Sequence, residues 1–231
     1  MNLPNTLTVG RIVVTPLIAL LPFAGPWQLK ATGFLLYVLA AITDYFDGML
    51  ARTRNLITDL GTLLDPLADK LLLVGTMIPM YILMTAPNDW PAGHLPLIVN
   101  HVDAAFNYQF LTPFGRVQLP FWIVAVVLGR ELFMTVFRQV AAKRGVIISA
   151  IGPAKWKTAM QSVWVGAAYF WIAAEATATQ LHWTSAWWSG FASFNGTVGV
   201  VSMIAALVLT MWSLVLYLQR YGHVVFRRGA R

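Results

Sequence analysis

Long apolar stretches alternate along the chain with short polar interruptions. Mainly apolar residues run over about 7–24, 30–50, 61–84, 117–138, 157–174 and 198–218. A helix needs about 20 such residues to cross ~30 Å of hydrocarbon, so the pattern predicts six membrane-spanning helices in an all-α bundle. The breaks carry turn chemistry: Gly25-Pro26 after the first stretch, polar residues from Thr53 to Asp59 after the second, and a Pro-punctuated run from Pro87 to Pro113 after the third. The N-terminal MNLPNTLTVGR sets Pro4 and Asn5 ahead of the apolar run and reads as a short interfacial segment. Residues 85–118 form a long outer connection, and no repeat or low-complexity tract interrupts the pattern. Residues 1–231 are therefore expected to form a single membrane-embedded domain. Because the first charge is Arg11, the start lacks the basic stretch of a cleavable secretory signal, and residue 1 is expected to belong to the mature protein.

Composition excludes whole classes of function. The chain is 58% hydrophobic and 11% charged, against about 25% charged in an ordinary soluble domain, so a soluble enzyme is nearly ruled out. Without a single Cys it holds no disulfide framework, thiolate metal site or cysteine nucleophile. The net charge of +7 is distributed unevenly. Eleven of the sixteen basic residues fall on one face of the predicted bundle: Arg52 and Arg54, then Arg138, Lys143, Arg144, Lys155 and Lys157, then Arg220, Arg227, Arg228 and Arg231. The opposite connections hold Lys30 and Arg116. The positive-inside rule makes the rich face, and both termini, cytoplasmic. The basic balance thus reads as topology and as attraction to anionic headgroups or an anionic substrate, rather than to nucleic acid.

Five of the nine acidic residues crowd between Asp44 and Asp69, at the cytoplasmic ends of the second and third stretches. Asp44 and Asp47 are three apart, and Asp65 and Asp69 four apart, so each pair projects from one helix face. Two antiparallel helices joined by a short turn can bring the pairs together. Converging carboxylates repel one another and resist desolvation, at about 3 kcal/mol per acid near the bilayer centre. Divalent cations relieve both costs, and oxygen donors without Cys favour Mg²⁺, Mn²⁺ or Ca²⁺ over Zn²⁺. Four carboxylates can hold two such ions, an arrangement that serves phosphoryl transfer. Gly48, Ala51 and Gly61 allow close approach of backbone and ligand, and Arg52 offers a planar fork for phosphate oxygens.

The run Asp44-x2-Asp47-Gly48-x2-Ala51-Arg52-x8-Gly61-x3-Asp65-x3-Asp69 resembles the signature of the CDP-alcohol phosphatidyltransferase family, with all eight defining positions present. The resemblance implies a six-helix membrane enzyme, usually a homodimer, in which an alcohol displaces CMP from a CDP-linked lipid. It implies that Asp44, Asp47, Asp65 and Asp69 hold two divalent ions, Mg²⁺ or Mn²⁺, on the diphosphate of CDP-diacylglycerol. It implies further that Asp69 takes the acceptor's proton, and that Asp47, Gly48, Ala51, Arg52 and Gly61 line the CDP-lipid pocket. Asp59 has no place in the signature and reads as a solvated loop acid.

Arg130 and Glu131 lie within an otherwise apolar stretch, where an ion pair usually serves function or ties down a neighbouring helix. With Arg138, Lys155 and Lys157 they could form a basic pocket for an acceptor that carries phosphate. The segments LGRELFMTVFRQVAAKRG and IGPAKWKTAMQ, with NLPNTLTVGRIVVTP, resemble the phosphatidylglycerophosphate synthase branch. That likeness implies glycerol 3-phosphate as acceptor, its phosphate held by some of Arg130, Arg138, Lys155 and Lys157. Relatives that use phosphatidylglycerol, inositol phosphate or serine remain alternatives within the family. A divalent-cation transporter is the alternative of another class, although transport sites typically lie near the midplane. Lys143 and Arg144 read as topology charges. His94, His101, Asp103 and His182 lie on the outer side at spacings unsuited to a metal site, and Trp90, Trp183, Trp187 and Trp188 read as interface anchors.

Overall fold

The structure is a computed structural model that describes residues 3–53, 59–85, 108–149 and 152–226. Arg54, Trp90, His94, His101, Asp103, Arg227, Arg228 and Arg231 lie outside the described residues.

Six helices dominate the described residues: α1 (Leu3–Leu20), α2 (Trp27–Thr53), α3 (Asp59–Met84), α4 (Phe121–Lys143), α5 (Gly152–Gln180) and α6 (Ala186–Phe226). Their ends follow local chemistry. The chain leaves α1 through a 3₁₀ turn, Leu21–Phe23, and Gly25-Pro26 separates it from α2. Gly145, at φ +76, closes α4 in the left-handed conformation, with Val146 N–H on Ala141 O and Gly145 N–H on Ala142 O. Pro153 opens α5, where a missing N–H costs nothing. Ser185 caps α6 by accepting the Trp188 N–H at 3.3 Å. The N-terminal segment does not lie apart from the first span: α1 runs continuously from Leu3, with Pro4 tolerated in its first turn.

Among the described residues, Pro4–Phe23, Leu64–Met84 and Ala186–His223 are long and apolar enough to cross a membrane. α2, α4 and α5 are comparable in length, at 27, 23 and 29 residues. Each is diluted by ionisable side chains, among them Asp44 on α2, Arg130 and Glu131 on α4, and Lys157 on α5. Candidate chemistry thus sits on apolar and diluted helices alike, since Arg11 lies on α1 and Asp65 and Asp69 on α3. α6, at 41 residues, extends about 60 Å at 1.5 Å per residue, well beyond a hydrocarbon layer.

α1 packs against both α2 and α3, α2 against α5, and α5 against α6, which also holds α4. α1 and α3 approach closely because Gly75 faces Thr15, where a Cβ would come within 2.9 Å of the Thr15 methyl. The buried Tyr169 hydroxyl of α5 reaches Ile18 O of α1 at 3.3 Å and Gly75 O of α3 at 3.4 Å. Tyr37 of α2 stacks on Tyr169 at 5.5 Å and donates to Ser162 O of α5 at 2.9 Å. Lys30, expected in a connection, instead lies buried in the first turn of α2, donating to Pro22 O at 2.7 Å.

Residues 110–117 form an antiparallel hairpin of β1 (Phe110–Thr112) and β2 (Gly115–Val117), with Leu111 opposite Arg116. It seats on α6 where Gly196 and Gly199 leave room. A Cβ at Gly196 would fall on the Leu111 backbone, and one at Gly199 on the Phe110 ring. Trp171 donates to Gln109 O at 3.0 Å and ties this segment to α5.

Candidate active site

The acid cluster is built by three helices rather than two. α1 and α3 ascend side by side, so residues a turn apart on one meet residues a turn apart on the other. Thr8 of α1 donates to Asp65 Oδ1 at 2.8 Å. One turn later, Arg11 Nη1 donates to Asp69 Oδ1 at 2.8 Å and also to Asp44 Oδ1 of α2. The Arg11 side chain is 1% exposed, whereas those of Asp44 and Asp69 are 47% and 59% exposed. The guanidinium therefore forms the floor of the cluster, and the carboxylates form its mouth. Gly61 is buried on α3. Of the other signature positions, Asp47, Gly48, Ala51 and Arg52 fall within α2, but their side chains are outside what the structure describes, as is that of Asp59 at the start of α3.

A second charged cluster lies across the same cavity. Glu131 of α4 accepts from Arg130 Nη1 at 2.9 Å and from Lys157 Nζ of α5. Arg130 Nη2 donates onward to Ser213 Oγ of α6 at 2.8 Å, which locks α4 to α6. The side chains of Arg130 and Lys157 are 5% and 7% exposed, and that of Glu131 is 25% exposed. Arg138, two turns along α4, is exposed, with its guanidinium 5.6 Å from the ring centre of Tyr217 and Nη2 3.4 Å from the Tyr217 hydroxyl. Lys155 is exposed at the start of α5.

One cavity of about 200 Å³ joins the two clusters. Arg11, Asp44 and Asp69 line it from α1, α2 and α3, and Glu131 and Lys157 from α4 and α5, with Tyr37, Gln161 and Ser162 also in the lining. Arg130, Arg138 and Lys155 do not line it. A more open and mostly apolar groove of about 380 Å³ runs between α2 and α5, lined by residues including Ile42, Phe46 and Val163. It shares Tyr37, Ala41 and Ser162 with the polar cavity.

Among the described residues, no three acid or imidazole side chains come together as a ligand group. The donors nevertheless suit a hard cation in kind, since carboxylates of two helices converge on one positive nitrogen. His182 sits at φ 55 in the turn between α5 and α6, away from this cavity. Sequence reasoning missed Arg11 and Thr8. The signal for Arg11 was present, because a charge inside an apolar span is a functional candidate by default; Thr8 is marked only by its three-residue offset from Arg11.

The sequence model of the CDP-alcohol phosphatidyltransferase family matches residues 1–216. A CDP-diacylglycerol–glycerol-3-phosphate 3-phosphatidyltransferase of Rickettsia typhi is 54% identical over 71 residues, covering 31% of this chain and 40% of the relative. A probable phosphatidylglycerophosphate synthase of Mycobacterium tuberculosis is 32% identical over 168 residues, covering 71% of this chain and 64% of the relative. A CDP-diacylglycerol–glycerol-3-phosphate 3-phosphatidyltransferase of Arabidopsis thaliana is 26% identical over 237 residues, covering 98% of this chain and 82% of the relative. The match to the rickettsial protein thus spans about two fifths of that relative's length.

Proposed function

Since the chain belongs to the CDP-alcohol phosphatidyltransferase family, we propose that it transfers the phosphatidyl group of CDP-diacylglycerol to sn-glycerol 3-phosphate. The products are phosphatidylglycerophosphate and CMP. The observation that carries this reading is the single cavity with acids on one wall and Lys157 on the other. A diphosphate needs positive charge held by the acids, an acceptor phosphate needs a cation, and transfer needs both within one pocket. The names of the relatives supply the substrates, and the apolar groove beside the cavity suits an acyl chain approaching from the bilayer.

Asp44, Asp47, Asp65 and Asp69 would hold two divalent ions, Mg²⁺ or Mn²⁺, which when bound supply neutralising charge on the diphosphate. Gly48, Ala51, Arg52 and Gly61, with Asp47, line the CDP-lipid site. Asp69 accepts the proton of the glycerol 3-phosphate hydroxyl as its oxygen bonds to the lipid phosphorus; the bond from that phosphorus to CMP breaks, and CMP leaves with the electron pair. Lys157 holds the acceptor phosphate from the far wall. Arg130 supports it through Glu131, and Arg138 and Lys155 form the basic approach.

The single domain spans the membrane six times, with α2, α4 and α5 crossing beside the three more apolar helices. The cavity opens toward the basic, cytoplasmic face of a bacterial inner membrane, and the chain works as a homodimer. The test is to incubate the purified protein with CDP-diacylglycerol, Mg²⁺ or Mn²⁺ and a panel of alcohols, reading CMP release and product mass. Release with glycerol 3-phosphate alone is expected. Release with phosphatidylglycerol, inositol phosphate or serine instead would reassign the acceptor, and no release with any alcohol would overturn the reading.

A further inference from the structure

The acid cluster already contains a cation. Arg11 comes from α1, outside the aspartate signature, yet its Nη1 meets oxygens of both Asp44 and Asp69. Its side chain is almost wholly buried, while the carboxylates it pairs with are about half exposed. A buried guanidinium with acid partners is strongly held, and removing its charge would leave acids from two helices facing one another uncompensated. Thr8, one turn below, fixes Asp65 in the same way with a neutral donor. One positive charge from α1 thus offsets part of the cluster's negative charge when nothing else is bound.

We infer that Arg11 is an exchangeable internal counter-ion: it occupies the carboxylate oxygens that a divalent cation must take, and it is displaced when the cation binds. This rests on the reading of the aspartates as metal ligands. Two divalent ions by themselves balance four carboxylates, so Arg11 retained nearby leaves the loaded site one positive charge in excess. An anionic diphosphate supplies the complement. Displaced from the carboxylates, the guanidinium stays within the same cavity but moves from its floor toward the mouth, where Asp44 and Asp69 are already about half exposed and a small reagent can reach it. Arg11 therefore has two successive anionic partners, the aspartates before loading and the diphosphate after it. It would raise the cation concentration needed in the absence of lipid and lower it in its presence, coupling metal and donor binding.

The test uses the full-length protein in detergent with Mn²⁺ as the probe, free Mn²⁺ being read by electron paramagnetic resonance without any substrate. Arg11→Gln is expected to bind Mn²⁺ about tenfold more tightly than the unsubstituted chain, because a competing positive charge is gone. Arg11→Lys, which keeps the charge but not the fork, is expected to fall between them. In the unsubstituted chain, Mg²⁺ is expected to increase modification of Arg11 by phenylglyoxal, followed by peptide mass spectrometry. This second measurement keeps the inference testable if Arg11→Gln does not fold. Equal or weaker Mn²⁺ binding by folded Arg11→Gln would overturn the counter-ion role, as would phenylglyoxal modification that Mg²⁺ leaves unchanged or reduces. Failure of both the unsubstituted chain and Arg11→Gln to bind Mn²⁺ would instead sink the metal reading of the aspartates.

Discussion

The two walls of the cavity are near charge-inverses of each other. On one, a buried arginine sits among aspartates; on the other, a glutamate sits between a buried arginine and a buried lysine. Each wall pairs its charges internally, as ionisable groups in a low-dielectric setting must, and each keeps an excess of one sign. The difference lies in which charge faces outward. The acids of the first wall are about half exposed over a hidden Arg11, so this wall presents negative charge to whatever enters. On the second wall the bases are buried and Glu131, at 25% exposed, is the more accessible group. On the proposed function, an acceptor phosphate would compete with Glu131 for Lys157, whereas a divalent cation would compete with Arg11 for the aspartates. On that reading Arg11 and Glu131 each stand in for a ligand, holding the geometry of the site without leaving bare charge.

Substitutions on the acid wall should have the largest effect. Asp69→Asn is expected to lower CMP release by about 10²–10⁴-fold, the usual range for loss of a general base. Mn²⁺ binding through the remaining acids should be weakened much less. Near-normal turnover in that variant would remove Asp69 from the base role. On the opposite wall, Arg130→Lys keeps the charge but cannot span Glu131 and Ser213 together. A loss of about 1–3 kcal/mol in stability is expected, from a buried hydrogen-bonding group left unpaired, and it should appear as a lower melting temperature in detergent. The acceptor KM should rise with it. A change in acceptor KM without any loss of stability would mean that Arg130 touches the substrate directly.

The aspartates were legible because eight residue identities at fixed spacings leave little freedom, and helical spacing alone puts Asp65 and Asp69 on one face. The six helices were legible from apolar runs of sufficient length. What spacing could not supply was the relative placement of helices. The short link between α2 and α3 suggests that their acids meet directly. In the structure Asp44 and Asp69 do lie side by side; what the link could not show is that α1 packs on both helices and that Arg11 bridges the pair. Lys155 and Lys157 look alike in sequence, but two residues turn a helix by about 200°. That rotation leaves Lys155 exposed and brings Lys157 to Glu131. The 110–117 hairpin escaped notice because each strand is three residues long, too short for an alternating pattern. Its seat depends on Gly196 and Gly199 of α6, which read in sequence as ordinary small residues of a membrane helix.

The smallest effects should come from the neutral donors that support each wall. Thr8→Ala frees Asp65, and Ser213→Ala frees Arg130 Nη2, each removing one hydrogen bond of about 1 kcal/mol. A shift of a few-fold is expected in each case, in Mg²⁺ dependence for Thr8→Ala and in the acceptor KM for Ser213→Ala. The reverse pattern would mean that the walls do not divide the work between cation and acceptor.

The most direct measurement varies both substrates in turn for the unsubstituted chain and for Lys157→Met, following CMP release. If acids and lysine serve one reaction from opposite sides of one cavity, the KM for glycerol 3-phosphate should rise about tenfold or more, while that for CDP-diacylglycerol stays within about twofold. Unchanged constants for both substrates, or a rise confined to the CDP-lipid, would contradict the assignment of the two walls.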